Sequence, residues 1–147
     1  MSTRDGWQER IKAVELEYKA MRQAADRFLR HSKDDPTILR KDLRHRMIVE
    51  ASRKLEGTYV IRLFAEFETG VRKYWATIKS TYPRTQVLLD RLASHRKIDA
   101  EITKAVHLVR DFRNSLVHER KERPSPVSLE DARGYLCTFF AYLPEEW

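Results

Sequence analysis

The residues that could support chemistry in this chain lie close together, between positions 102 and 123. They are the candidate catalytic residues Arg113, Asn114 and His118 and the further basic residues Arg110, Arg120, Lys121 and Arg123. A guanidinium group binds phosphate oxygens bidentately, and an imidazole can transfer protons near neutral pH. The segment therefore indicates an anion-binding surface with a titratable group, which phosphoryl chemistry on RNA requires when no metal takes part.

A helical wheel sorts this segment into two predicted faces. The predicted core face is apolar and consists of Ala105, Leu108, Val109, Phe112 and Leu116. The opposite face is polar and consists of Thr103, His107, Arg110, Asn114 and His118, with Arg113 at its edge. Any surface helix shows a polar outer face, so solvated charge is the simpler interpretation. The near absence of carboxylates, an asparagine with no capping position and a histidine near the helix end favour a functional surface.

The spacing of Arg113 and His118 limits how the two side chains can meet. Five residues correspond to about 140° around a straight helix, so these side chains do not automatically touch. Either the helix loosens before His118, or the same segment of a second subunit completes the site across a two-fold axis.

The pattern Arg113-Asn114-x-x-x-His118 resembles the Arg-x4–6-His signature of the HEPN superfamily, in which a polar residue usually follows the arginine. Its place near the end of the penultimate long helix is similar too, and the aromatic-rich residues 59–68 resemble the second helix of such domains. The resemblance covers residues 40–143. It implies a homodimeric, metal-independent endoribonuclease of the kind found in toxin–antitoxin, abortive-infection and RNA-processing systems. Some members carry a tyrosine where this chain has Arg120, so regulation by modification of that tyrosine is not expected.

The resemblance also implies roles for the individual residues. His118 acts as general base or acid in the attack of a ribose 2′-hydroxyl on the adjacent phosphorus, giving a 2′,3′-cyclic phosphate. Arg113 stabilises the charge of the transition state, and Asn114 orients the histidine or a phosphate oxygen. The RNA backbone is contacted by Arg110, Arg120, Lys121 and Arg123. No metal or other cofactor is expected, and the expected partners are RNA, a second copy of the chain and an antitoxin or inhibitor protein.

Composition predicts one mostly helical domain. The chain has 147 residues, with only 4 Gly and 5 Pro, which are too few for the turns of a β-sandwich or barrel. We expect a single domain over residues 1–147, with an N-terminal helix in 1–33 and a HEPN-like core in 40–143.

The single cysteine, the lack of an apolar leader and the lack of a membrane-spanning stretch favour a soluble protein of the reducing cytosol. The net charge of +7, with arginine in excess of lysine, leans weakly towards a polyanionic partner.

Apolar periodicity predicts an all-α bundle of four or five helices. We expect helices over residues 5–31, 37–80, 85–92, 99–118 and 128–143, with Gly57 marking either a bend or a close helix contact in the second of them. Asp99 and Ser128 are the predicted caps of the last two helices.

Two other classes of function remain open at this point. The first is a catalytically inactive helical module that binds RNA or a protein through the basic face. The second is a helix-turn-helix DNA reader, which the long second helix and the proline-flanked turns disfavour. The basic cluster at residues 40–46 is most simply solvated charge at the start of a helix.

Overall fold

A computed structural model describes residues 2–118 and 122–147 of the chain. The described residues form five α-helices and a short 3₁₀ helix at Pro36–Ile38. The helices are α1 (Arg4–Asp34), α2 (His45–Ile78), α3 (Thr85–Arg96), α4 (Ala100–Val117) and α5 (Leu129–Phe140). The predicted all-α bundle is therefore confirmed. None of these helices is long and apolar enough to cross a membrane.

The centre of the bundle is the apolar part of α2, against which α1, α3, α4 and α5 all pack. Its buried side chains recur at steps of three and four residues, which puts them on one broad face: Tyr59, Val60, Leu63, Phe64, Phe67, Val71, Tyr74 and Trp75. Phe67 meets the rings of Phe139 and Phe140 from α5 edge-on, with centroids 5.5 and 5.2 Å apart. Such edge-to-face pairs add specificity to the burial of apolar area.

The prediction of one helix over residues 37–80 is wrong at its start. The Asp35 carboxylate accepts hydrogen bonds from the backbone N–H and the hydroxyl of Thr37, which closes a single turn around Pro36. The chain then leaves helical geometry and begins α2 only at His45. A short side chain that bonds the nearby backbone competes with helix propagation, and the hydrophobic pattern does not show this.

The other boundaries differ by a few residues. The helix predicted over 85–92 extends to Arg96, where Lys97 ends it in the left-handed conformation with φ 53°. The last helix ends at Phe140 rather than at residue 143. Ser128 caps it as predicted, because its hydroxyl accepts the N–H of Asp131 at 3.0 Å. Asp99 holds the N-cap position of α4 but makes no capping bond; its carboxylate instead accepts the hydroxyl of Tyr142 at 3.0 Å.

Gly57 marks a close helix contact and not a bend. Helix α2 runs without interruption through this position. A Cβ added there would lie 3.3 Å from a methyl carbon of Leu116 in α4. The glycine therefore lets the first part of α2 approach the end of α4, where the candidate functional residues lie.

We expect Gly70→Ala to lower the free energy of unfolding by about 1–3 kcal/mol through overpacking. A Cβ at this position would lie 2.7 Å from Phe140 and 2.9 Å from Trp7, both buried aromatic residues. Urea denaturation followed by circular dichroism measures the change. Gly134→Ala is the matched control, because nothing lies within 4 Å of its added Cβ; it should gain about 0.5–1 kcal/mol from helix propensity. Equal stability of the two variants would contradict this packing.

Candidate functional site

The buried side of α4 is rotated relative to the predicted core face. Val106 and Val109 are fully buried, but Leu108 and Leu116, both expected in the core, are 48% and 41% exposed. Placing these two leucines in the core was wrong. Helix α4 packs against three neighbours, α2, α3 and α5, so the sector that it buries is set by those neighbours and not by its apolar arc alone. Phe112, by contrast, packs against the core as predicted.

As a result, Arg113 lies on the buried side of α4. On the wheel its position falls between those of Val106 and Val109, and its guanidinium carbon is 6.0 Å from the ring centroid of Phe64 in α2. The predicted edge of the polar face is therefore partly buried at Arg113. Arginine tolerates this position because its long aliphatic stem packs against apolar neighbours.

The hydrogen bonding of Arg113 is incomplete. Its Nη1 donates to the Oδ1 of Asn114 at 3.0 Å. Its Nε is buried and has no hydrogen-bond partner among residues 2–118 and 122–147, and no carboxylate in this part of the chain forms an ion pair with it. A buried donor left without a partner costs about 1–3 kcal/mol, so an acceptor that reached this N–H would stabilise the site.

Arg110 repeats this arrangement one turn earlier in α4. Its side chain is only 14% exposed, and its Nη2 lies 2.9 Å from the carboxylate of Asp111. Its Nε is likewise buried without a partner in the described chain. The two arginines therefore hold unused N–H groups on a partly desolvated stretch of helix, although the Asp111 carboxylate offsets the charge of Arg110.

His118 lies just beyond the end of α4. The helix ends at Val117, and His118 takes extended backbone angles of φ −119° and ψ 133°. Of the two arrangements that the spacing allowed, a helix that loosens before His118 is therefore observed. The residue is exposed, and its backbone N–H donates to the carbonyl oxygen of Asn114 at 2.9 Å.

Asn114 connects the other two candidate catalytic residues. Its side chain accepts from the Arg113 guanidinium, and its backbone carbonyl accepts from the His118 N–H. The structure thus places Asn114 as a support for the arginine. Arg120 and Lys121, two of the predicted RNA-binding residues, lie outside the described residues.

A cleft of about 670 Å³ opens beside these residues. It is bounded by the first part of α2, the last two turns of α4 and the segment that leads into α5. Its floor is apolar and includes Ile61, Phe112, Leu116 and Val127, whereas its rim carries the cations Arg53, Lys54 and Arg123. Its single carboxylate, Glu56, accepts the backbone N–H of Leu129 at 2.9 Å.

Sequence reasoning missed most of this cleft. Arg123 was predicted to bind RNA, but Arg53 and Lys54 were not singled out, because they alternate with carboxylates along a long helix. Their place beside α4 follows from the close approach at Gly57, which was the only signal in the sequence.

His107, assigned to the polar face of α4, has a partner in α3. Its Nε2 lies 2.7 Å from a carboxylate oxygen of Asp90, and its Nδ1 is buried without a hydrogen-bond partner in the described chain. One ring nitrogen is engaged and the other is shielded from solvent. This histidine therefore links α3 to α4 and offers no free nitrogen to a substrate.

The remaining chemically capable groups do not form a second centre in the described chain. Burial raises the pKa of the Cys137 thiol, which lowers the fraction of the nucleophilic thiolate. In residues 2–118 and 122–147, no three His, Cys, Asp or Glu side chains form a group that could hold a metal ion.

Comparisons with protein-family models, with curated proteins and with solved structures find no match for this chain. The HEPN resemblance therefore rests on the motif around Arg113 and His118. A function for the chain has to be argued from the geometry of these residues.

We expect Arg113→Met to leave the free energy of unfolding within about 1 kcal/mol of the wild type or to raise it. Methionine keeps the aliphatic stem against Phe64 and removes a buried donor that has no partner in the described chain. Chemical denaturation measures the effect.

Arg72→Met is the matched control, since Arg72 is also a partly buried arginine packed within the bundle. Its guanidinium donates to Glu68, to the carbonyl of Pro83 and to the hydroxyl of Thr85, each at 3.0 Å. Removing it takes the donor from the Pro83 carbonyl and the cation from the Glu68 carboxylate, which keeps only the hydroxyl of Thr85, and should cost about 2–3 kcal/mol. If Arg113→Met costs as much as Arg72→Met, Arg113 is a structural residue.

Proposed function

We propose that this chain is a metal-independent endoribonuclease of the HEPN type. The observation that carries the proposal is the partly buried guanidinium of Arg113, whose Nε has no partner in the described chain, five residues before the exposed His118 that directly follows the same helix. A cation held on a helix, close along the chain to an accessible proton-transfer group, supplies the two groups that cleavage of an RNA phosphodiester needs.

In the proposed reaction, the ribose supplies the nucleophile. The His118 imidazole removes the proton of a 2′-hydroxyl, the 2′-oxygen forms a bond to the adjacent phosphorus, and the bond from phosphorus to the 5′-oxygen breaks. The leaving 5′-oxygen takes up a proton, and the other product carries a 2′,3′-cyclic phosphate. Arg113 donates to the non-bridging phosphate oxygens, whose negative charge grows in the transition state.

The preorganisation of Arg113 supports this role. Its Nη1 is already fixed by Asn114, so little side-chain entropy remains to be lost when a phosphate binds. Its partly buried position strengthens the attraction to an anion, because less water screens the charge.

A second copy of the chain is part of the proposal. One histidine cannot act as base and acid on opposite sides of the phosphorus at the same time. Two copies related by a two-fold axis would supply two imidazoles and two guanidinium groups around one groove. An antitoxin or inhibitor protein that covers this groove is the further partner that we propose.

One observation favours a different function, that of a catalytically inactive module that binds RNA or a protein. No side chain among the described residues forms a hydrogen bond with the imidazole of His118. A general base is usually oriented by a third group, as in the catalytic triads. The two functions differ in whether His118 and Arg113 are needed: RNA cleavage requires both, whereas RNA binding by the inactive module barely changes when either is replaced.

We expect the purified chain to cleave mixed-sequence RNA in the presence of EDTA and to leave 2′,3′-cyclic phosphate ends. His118→Ala should lower the rate about 100- to 10,000-fold through loss of proton transfer. Arg113→Met should lower it about 100- to 1,000-fold through loss of transition-state stabilisation, without loss of stability. Gel analysis of end-labelled RNA measures the rates, and mass spectrometry identifies the ends.

His95→Ala is the control, because His95 is an exposed histidine of α3, away from α4's last turn; it should cleave like the wild type. Sedimentation analysis should show the same oligomer for all variants. Absence of cleavage by the wild type, or normal cleavage by His118→Ala, overturns the enzyme. Salt-sensitive RNA binding without cleavage, unchanged in both variants, supports the binding module.

A further inference from the structure

The positive charge of the chain is concentrated in one region. Residues 27–54 hold nine Lys or Arg and four Asp or Glu, a net charge of +5 out of +7 for the whole chain. This region comprises the end of α1, the 3₁₀ turn and the start of α2. Charge at this density attracts a polyanion and accelerates its association.

Most of this region is held away from the core. Between Leu16 and Thr58 only Ser32 is buried. The second half of α1 and the start of α2 therefore form a two-helix arm, residues 16–52. Its helices are joined by polar contacts: Ser32 Oγ lies 3.0 Å from His45 Nδ1, and the Arg22 guanidinium donates to the carbonyl of Ser52 at 2.9 Å.

One face of α2 leads from this arm into the cleft. Arg46, Arg53 and Gly57 are spaced at i, i+7 and i+11, so they share a helix face, and the latter two line the cleft. Lys54 lies beside them and forms no ion pair in the described chain, while Arg53 pairs only with the exposed Glu50 at 3.1 Å. An exposed pair of this kind is weak and leaves the cation available to a ligand.

The cleft itself combines charge with an apolar floor. Arg53, Lys54 and Arg123 stand on the rim above the partly buried ring of Phe112 and the side chain of Leu116. Its one carboxylate, Glu56, is directed to the start of α5 by its bond with Leu129. A cationic rim above an apolar floor fits a ligand with regularly spaced negative charges and flat, unpaired bases.

We propose that this cleft, together with the Arg46–Arg53 face of α2, is a binding subsite for single-stranded RNA that leads the strand to the end of α4. The inference rests on the proposed function only in taking RNA as the substrate. A duplex fits less well, because its bases are stacked inside and cannot reach the floor. Ser115 and Leu116 line the cleft three and two residues before His118, so a strand lying in it passes next to the candidate site.

The test measures binding separately from cleavage. In a His118→Ala background, fluorescence anisotropy follows a labelled 12-nucleotide RNA of mixed sequence at several KCl concentrations. The double variant Arg53→Ala/Lys54→Ala should bind at least about 10-fold more weakly near 50 mM salt. The slope of log affinity against log salt should fall by about 1.4, which corresponds to two lost phosphate contacts on a single strand.

Lys79→Ala/Arg84→Ala is the matched control. It removes the same charge from two exposed residues: Lys79 directly follows α2, about 39 Å along the helix axis from Arg53, and Arg84 directly precedes α3. It should keep the affinity and the salt slope within about twofold. Equal losses in the two double variants overturn the subsite, because only net charge would then matter.

Other occupants of the cleft give different results. Equal affinity for a duplex of the same sequence overturns the proposal, and so does displacement of the RNA by polyglutamate as effectively as by unlabelled RNA. A second copy in the cleft overturns it as well, and shows as a dimer that Arg53→Ala/Lys54→Ala dissociates. Cleavage by the wild type with normal binding by the cleft variant refutes the subsite alone. Loss of binding without any wild-type cleavage supports the subsite and refutes the enzyme.

Discussion

The bundle depends on one helix, α2, whose buried face from Tyr59 to Trp75 is shared by all the other α-helices. A helix of 34 residues is about 51 Å long, far more than this apolar stretch covers. The remaining first part of α2 has few apolar neighbours and carries arginine and lysine instead. The same rigid helix therefore organises the core and carries the Arg46–Arg53 face that leads to the cleft.

The candidate site contains an arginine whose hydrogen bonding is incomplete in the described chain. Arg72 and Arg113 are both partly buried arginines, yet Arg72 is satisfied by three acceptors and Arg113 by a single amide oxygen. Natural proteins tolerate such unsatisfied groups where a ligand supplies the missing partner. In the proposed function, the role of Arg113 is opposed to stability, whereas Arg72 serves stability alone.

Periodicity was enough to predict the helices, but not the direction in which α4 faces. Its apolar residues predicted a core face that included Leu108 and Leu116, and these two are exposed. The orientation of a helix depends on which other helices surround it, and the apolar pattern of the helix alone does not show those neighbours. The late start of α2 had a local cause in Asp35 and Thr37, which a hydrophobic pattern does not register. The location of Arg113, Asn114 and His118 at the end of a helix, by contrast, was predicted from the extent of the apolar pattern.

The end of α4 joins the two surfaces that we assign to RNA. Asn114 supports Arg113, and the next two residues, Ser115 and Leu116, line the cleft. Successive residues of a helix point about 100° apart, so one turn of rigid backbone presents the Arg113 guanidinium on one side and the proposed strand-binding surface on another. A strand held in the cleft would pass beside the stretch of α4 that carries Arg113 and is followed by His118, neither of which lines the cleft itself. Binding energy gained at Arg53 and Lys54 is therefore available for positioning the scissile phosphate, which is how contacts remote from the reacting atoms contribute to rate.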